Sequence, residues 1–244
     1  EVSLLRGLRE MFSLEIDDVA LALAGQKAEN DFVGAPVGVM DQMAASLADE
    51  STALFLDTRT LQYEKIPLPA ASELVVIDSG ISHSHAGGEY RVRRRECEQA
   101  AEILRVPQLG DLDVQDLWRL PALPDRLISR ARHVITENAR VRSAVAAMRE
   151  NDLLRLGKLL YSSHESLRDD YEVSVPEIDL LVDLAREESD VYGARITGGG
   201  FGGSVVVLVR RGTGREVGTR LTATYSERTG RSGRLLVPPP EPAP

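Results

Sequence analysis

Three stretches of the chain bring together residue types that could do chemistry. The first is FVGAPVGVMDQMAASLAD, residues 32–49, where Asp41 stands at the junction of a Gly- and Pro-broken loop, Gly34–Gly38, and a mostly apolar helical pattern. A carboxylate in the first turn of a helix is stabilised by the helix dipole, and on position alone that is the commoner role. The chemical alternative is a general base or anchor for a hydroxyl that must lose a proton as it attacks. Glu29 lies just before the same loop. It is either a solvated helix end or a hard oxygen ligand for Mg²⁺, which typically takes one or two carboxylates plus phosphate oxygens.

The second stretch is TGGGFGG, residues 197–203. Gly198, Gly200 and Gly203 match a dinucleotide fingerprint in spacing, but that fingerprint needs a following helix and an acid about 20 residues on. Here the apolar, β-branched run Val205–Val209 follows, and no Lys-Ser or Lys-Thr completes a Walker loop. Gly198, Gly199, Gly200, Gly202 and Gly203 surround Phe201, and each glycine carries a backbone-entropy penalty. A plain hairpin turn needs only one or two. Close approach of a ligand or a neighbouring loop is the favoured explanation.

The third stretch is EYRVRRRECE, with Arg91, Arg93, Arg94 and Arg95 among Glu89, Glu96 and Glu98. Helical spacing spreads these arginines around the axis, so a salt-bridged solvated face is expected rather than a phosphate patch. Asp169 and Asp170 are chain neighbours, which suits loop capping better than convergence on one substrate atom. His83 and His85 form the only close histidine pair, and no third ligand has metal-site spacing.

The elements that must position these residues follow from periodicity. Residues 1 to about 30 read as two helices, and a third runs from Met40 to about Ala48. STALFLDTRTLQYEKIPLP reads as paired strands turning near Asp57–Arg59, and ELVVIDSGI as a buried strand. A helix follows from GGEYRV, then an irregular connector over 108–120, then two or three amphipathic helices up to Asp170. SVPEIDLLVDLAREE is a helix with an expected capping box between Ser174 and Glu177 and with Pro176 in its first turn. GARIT and SVVVLVRR are strands flanking the glycine loop. Strands and helices alternate without regular βαβ periods, so the fold class is α+β. A domain boundary is expected near residue 70, at Pro67–Leu68–Pro69, and residues 238–244 are a Pro-rich tail.

Composition narrows the function classes. The 244 residues are 43% hydrophobic and 27% charged, with a formal net charge of −9. No global basic field invites nucleic acid or an anionic membrane. The longest apolar runs are strand-sized. Cys97 is the only cysteine, which excludes an intramolecular disulfide and fits a reducing, cytoplasmic setting. No charged-then-apolar leader opens these residues. The opening EVSLLRGLREMF has helical apolar spacing without a cap, as a helix already under way would.

Taken together, EN-FVG-P-GVMDQ, GGEYRVRRRECE, SLRDDYEVSVPEID and ARITGGGFGG resemble the galactokinases of the GHMP small-molecule kinase superfamily, in order over residues 1 to 237. The glycine loop alone marks only the superfamily; the combination with MDQ and DDYEVSVPEID points to the galactokinase branch. The resemblance implies ATP-dependent phosphorylation of the 1-hydroxyl of galactose, with galactose and ATP as small-molecule partners and Mg²⁺ as the metal. It implies Asp41 as catalytic carboxylate, Gly38 and Tyr90 as sugar contacts, Glu29 as Mg²⁺ ligand, and Gly198–Gly203 as the loop beside the phosphate site. Val37 departs from the cysteine expected there, at a position that looks like packing. The implied fold is the two-lobed GHMP kinase: residues 1–69 end the N-terminal lobe, residues 70–237 form the whole C-terminal α+β domain, and the active site is the cleft between them. The family's upstream sugar and ATP-phosphate motifs are expected before residue 1, so this stretch alone is expected to turn over negligibly and to associate through the faces left uncovered. Kinases of N-acetylgalactosamine or arabinose, and a non-catalytic sugar sensor, stay open as alternatives.

Overall fold

The computed structural model describes residues 1–34, 37–81 and 86–236. It divides into two compact units, Glu1–Leu68 and Pro69–Pro244. His83 and His85, and the Pro-rich tail, lie outside the described residues.

The first unit contains α1 (Val2–Met11), α2 (Asp18–Lys27), a π-helical turn (Ala28–Val33), α3 (Met40–Leu47) and an antiparallel pair, β1 (Thr52–Leu56) and β2 (Tyr63–Pro67). Asp17 caps α2, its carboxylate accepting the Ala20 N–H at 2.7 Å. Its small core joins Ala22, Val39, Met43 and Leu47 with Leu54, Leu56 and Leu61. The hairpin turns where the Asp57 carboxylate accepts the Arg59 and Thr60 N–H groups. The apolar side chains of α1 stay uncovered in this unit: Leu4, Leu8, Met11 and Phe12 are exposed.

The second unit is built on a four-stranded antiparallel sheet, ordered β4-β5-β3-β6. β3 is Ser72–Asp78, β4 Val191–Thr197, β5 Ser204–Arg210 and β6 Arg234–Leu236. Alternation places Val205, Val207 and Val209 of β5 on one face beside Val75 and Ile77 of β3. There they pack with α7 (Pro176–Glu187) and α8 (Gly214–Thr229). Leu208 points the other way, onto Ala147 of α5 (Asp125–Arg149) and Leu156 of α6 (Leu153–Asp169). A separate cluster joins Ala100, Ala101 and Leu104 of α4 (Ala86–Ile103) to Leu127, Ala131 and Ile135 of α5. The expected irregular connector between them contains two 3₁₀ turns, Leu109–Asp111 and Val114–Ala122. The sequence reading assigned no element to residues 214–236, where α8 and β6 lie.

Two expectations fail for physical reasons. Ser174 does not cap α7: its hydroxyl donates to Asp179 Oδ1 at 2.6 Å, Val175 occupies the cap position, and Glu177 pairs with Arg231. The arginines of α4 do not all lie on a solvated face. Arg94 pairs with Glu98 in solvent, but Arg93 and Glu96 are buried.

α6 lies directly on β4 because both carry glycine at the crossing. A Cβ on Gly157 would sit 1.9 Å from the Tyr192 carbonyl oxygen, and one on Gly193 would sit 2.3 Å from that of Gly157. Gly157→Ala is therefore expected to destabilise the second unit by about 3 kcal/mol in urea unfolding, as overpacking against backbone does. Gly88→Ala on α4, where the new Cβ meets open space, is expected to be neutral or stabilising by up to about 1 kcal/mol.

Candidate functional site

The residues singled out in the first unit cluster around one loop return. Glu29 sits in the π-helical turn, half-buried. Such turns widen the helix by a residue and recur at functional sites. Asn30 then holds the returning chain: its Oδ1 accepts the Val37 N–H at 2.9 Å, while Gln26 Nε2 donates to the Val37 carbonyl at 3.3 Å. Gly38 follows, and α3 starts at Met40 with Asp41 exposed in its first turn. Gln42, buried, donates to Glu29 Oε2 at 3.0 Å, so the two acidic positions are tied through adjacent residues. The Gln42 side-chain carbonyl oxygen, Oε1, is buried with no hydrogen-bond partner among the described residues.

Among the described residues, no group of three or more His, Cys, Asp or Glu could hold a metal ion. A divalent cation here would draw most of its oxygens from a bound ligand and water, the usual habit of Mg²⁺. The half-buried Glu29 carboxylate, beside an unpartnered carbonyl oxygen, has the hard-donor chemistry for that role.

In the second unit, the glycine loop joins β4 to β5 and lines a cavity of about 330 Å³ with Thr197, Gly198, Gly199, Gly200, Gly202, Gly203 and Ser204. Both sides of the loop are pinned. On one side, the Ser79 N–H and hydroxyl both donate to the Gly203 carbonyl, at 2.9 and 2.7 Å. Ser79 is itself held by the buried Tyr225, whose hydroxyl donates to the Ser79 carbonyl at 2.9 Å. On the other side, the Phe201 N–H donates to the Val173 carbonyl at 2.5 Å. Phe201 takes φ 62°, unusual for a residue with a Cβ.

The five glycines have different reasons. Gly200 has φ 84°, and a Cβ there would lie 2.5 Å from Val173 Cβ and 2.6 Å from its carbonyl oxygen. This is the close approach of a neighbouring loop. Gly198 and Gly203 need glycine for positive φ alone, and Gly202 also has a positive φ, 125°. Gly199 has neither a positive φ nor any atom within 4 Å of its Cβ position. Nothing within the described protein demands glycine there.

Tyr90 is partly exposed on α4 and close to Tyr171, whose phenol is pushed up mainly by burial, with Cys97 and then Tyr90 adding to the rise. Tyr171 stacks on His133, with ring centroids 4.5 Å apart. His133 Nδ1 lies 3.0 Å from the Ser166 hydroxyl, which donates to Asp170 Oδ2. Burial pushes His133 down to about 4, against the pull of Glu137. Sequence reasoning missed Asn30, Gln42, Ser79, Val173 and Tyr225. Asn30, Gln42 and Val173 lie inside quoted motifs and Ser79 inside the strand read over ELVVIDSGI, but nothing in the sequence gave them these roles, and Tyr225 carried no signal at all.

Comparison with known proteins is consistent across the chain. The GHMP kinases N terminal domain matches residues 1–49, and the GHMP kinases C terminal domain matches residues 144–227. The galactokinase of Chloroflexus aggregans is 45% identical over 226 residues, covering 89% of this chain and 57% of that protein. That of Haemophilus influenzae is 41% identical over 94% of this chain and 61% of its own length. For Thermotoga maritima the values are 41%, 94% and 65%. The chain thus spans about three fifths of the length of these curated relatives. The crystal structure of Lactococcus lactis galactokinase complexed with galactose superposes with a TM-score of 0.91 at 31% identity, over 97% of this chain and 63% of that one. The crystal structure of L. major mevalonate kinase in complex with R-mevalonate, at TM-score 0.62 and 21% identity over 91% of this chain and 59% of that one, shares the fold.

Two outcomes follow from this geometry. Gly200→Ala is expected to lower stability by about 2–3 kcal/mol, whereas Gly199→Ala changes it by less than about 1 kcal/mol, read by urea unfolding. Stability is also expected to fall with pH between 6.5 and 4, because the unfolded chain binds a proton that buried His133 refuses. The loss is about 1.4 kcal/mol per pH unit within that window and is absent above it. Replacing His133 with Asn should flatten unfolding free energy measured between pH 6.5 and 5.

The chain belongs to the GHMP kinases, and the relatives it matches over this stretch are galactokinases.

Proposed function

We propose that the protein transfers the γ-phosphoryl group of ATP to the 1-hydroxyl of galactose, giving galactose 1-phosphate and ADP. The observation that carries this reading is Gly199. A glycine free of backbone strain and of neighbours, at the open side of a pinned loop, is what close approach of a ligand requires. Residues with positive φ interspersed with ordinary ones can turn successive N–H groups toward an anion, and Gly198–Gly203 is proposed as the phosphate-side loop. Galactose is preferred over N-acetylgalactosamine or arabinose because the matching relatives are galactokinases and a structural neighbour was solved with galactose.

Each residue then has a part. Asp41 faces solvent from the first turn of α3, on a loop fixed by Asn30 and Gln26. It accepts the proton of the sugar 1-hydroxyl, or holds that hydroxyl while its oxygen bonds to the γ-phosphorus. The bond from that phosphorus to the β–γ bridging oxygen breaks, and ADP leaves. Gly38 leaves room for the sugar, and Tyr90 offers it a hydroxyl and a ring. Glu29, oriented by Gln42, would hold Mg²⁺, which when bound neutralises phosphate charge. Phosphoryl transfer depends mainly on such positioning and charge stabilisation.

The test uses the product of the complete reading frame, since these residues span only part of the relatives' length. Asp41→Asn keeps the side-chain shape and removes the proton acceptor. Galactose-dependent ADP release is expected to fall by about 10²–10⁴-fold with thermal unfolding unchanged. Near-normal turnover in that variant would remove Asp41 from the mechanism. Release driven equally well by N-acetylgalactosamine or arabinose would overturn the choice of galactose.

A further inference from the structure

The cavity above the glycine loop rests on a turn that two arginines hold from below. Arg130 of α5 has no exposed surface. Its Nε donates to Glu96 Oε2 at 2.8 Å, Nη2 to Glu172 Oε2 at 2.5 Å, and Nη1 to the Asp170 carbonyl. Arg93 of α4 lies beside it, its Nε donating to the Tyr171 carbonyl at 2.6 Å and its Nη2 to the Glu172 carbonyl at 3.0 Å. Three successive carbonyls, of residues 170, 171 and 172, are therefore held by two guanidinium groups. Glu96, itself buried, accepts from both, and with Glu172 it offsets their charge.

The turn held this way is strained. Glu172 adopts φ 53°, a left-handed conformation that L residues other than Asn and Asp seldom take. Such a conformation persists only where its surroundings over-determine it. The next residue, Val173, fills the space a side chain at Gly200 would need and accepts the Phe201 N–H. Arg93 also lies 5.9 Å from the centroid of the Phe201 ring. The route from arginine to loop is thus one peptide long.

We propose that Arg93 and Arg130 are positioning residues for phosphoryl transfer, which set the shape of the phosphate-side loop by clamping the 170–172 carbonyls and so seating Val173 beneath Gly200. The proposal rests on the kinase reading for its purpose, not for its geometry. Neither arginine is placed against substrate; both act through the turn. The guanidinium fork matters because one planar group reaches two acceptors, which an ammonium on a flexible stem does not do in fixed geometry.

The clamp is tested on this chain by backbone amide exchange. Arg93→Lys keeps the charge beside Glu96 and loses the fork. Exchange of the Phe201 amide is expected to rise about ten-fold or more, while the β5 amides of Val206 and Leu208 hold. Glu172→Gln, on an exposed side chain, is expected to shift Phe201 in the same direction by a smaller factor. It carries the test alone if Arg93→Lys does not fold. Phe201 exchange that stays within about two-fold in a folded variant, or β5 amides rising equally, overturns the clamp. In the full-length protein, Arg93→Lys is expected to lower kcat/KM for ATP about ten-fold and leave KM for galactose unchanged. A KM for galactose that rises as much as the KM for ATP overturns the positioning role. No turnover by the unsubstituted full-length protein overturns the kinase purpose, while the exchange result still decides the clamp.

Discussion

A guanidinium cannot be removed from water without partners, and Arg130 is removed from it entirely. Two carboxylates and a carbonyl meet it, and they come from two places besides its own helix α5: Glu96 on α4, and Asp170 and Glu172 in the turn after α6. The geometry of these three elements is therefore coupled. α4 and α5 share an apolar contact of their own, which fixes their distance but permits sliding. The charged contact is directional and removes that freedom. Hydrogen bonding to Arg130 also lowers the Glu172 carboxyl below its ordinary range, so the pair stays ionised through neutral pH.

The rest of the second unit supplies rigidity around that point. The sheet places β5 between β4 and β3, with helices on both faces, so the ends of β4 and β5 are fixed before the loop between them begins. Ser79 and Tyr225 fix the loop's exit, and Val173 fixes its middle. In the first unit the same task falls to polar side chains. Asn30 and Gln26 do for residues 37–40 what the sheet does for the glycine loop. A surface return with few apolar residues to bury has no other means of holding one backbone path.

What the sequence disclosed tracks how local each cause is. Val205, Val207 and Val209 alternate within one strand, so their inward face could be read from period alone. Asp17 caps the helix it precedes, its carboxylate accepting an N–H only three residues on. Arg93 looked like its neighbours Arg94 and Arg95, because the groups that bury it lie as far as 79 residues away. Ser174 had the local pattern of a cap, but Asp179 offered its hydroxyl a carboxylate and took it. At the candidate site the glycines signalled that something approaches closely. Only the coordinates separated Gly200, which meets Val173, from Gly199, which meets nothing. The loop was legible; the turn beneath it was not, since no residue type announces a left-handed glutamate.

The pairing of Thr197 with Ser204 closes the glycine loop into a ring of set circumference. Both flanking strands alternate between a buried and a covered face, so inserting or deleting one residue cannot be absorbed by sliding either strand, which would exchange its two faces. Within the ring, the contacts at Phe201 and Gly203 leave no slack segment to take up a change. Length in this loop is therefore under tighter constraint than composition. Substitutions at its open side can be sampled one at a time, while a change of length demands several compensations at once. Evolutionary variation here is expected to proceed by exchange of residues and not by gaps.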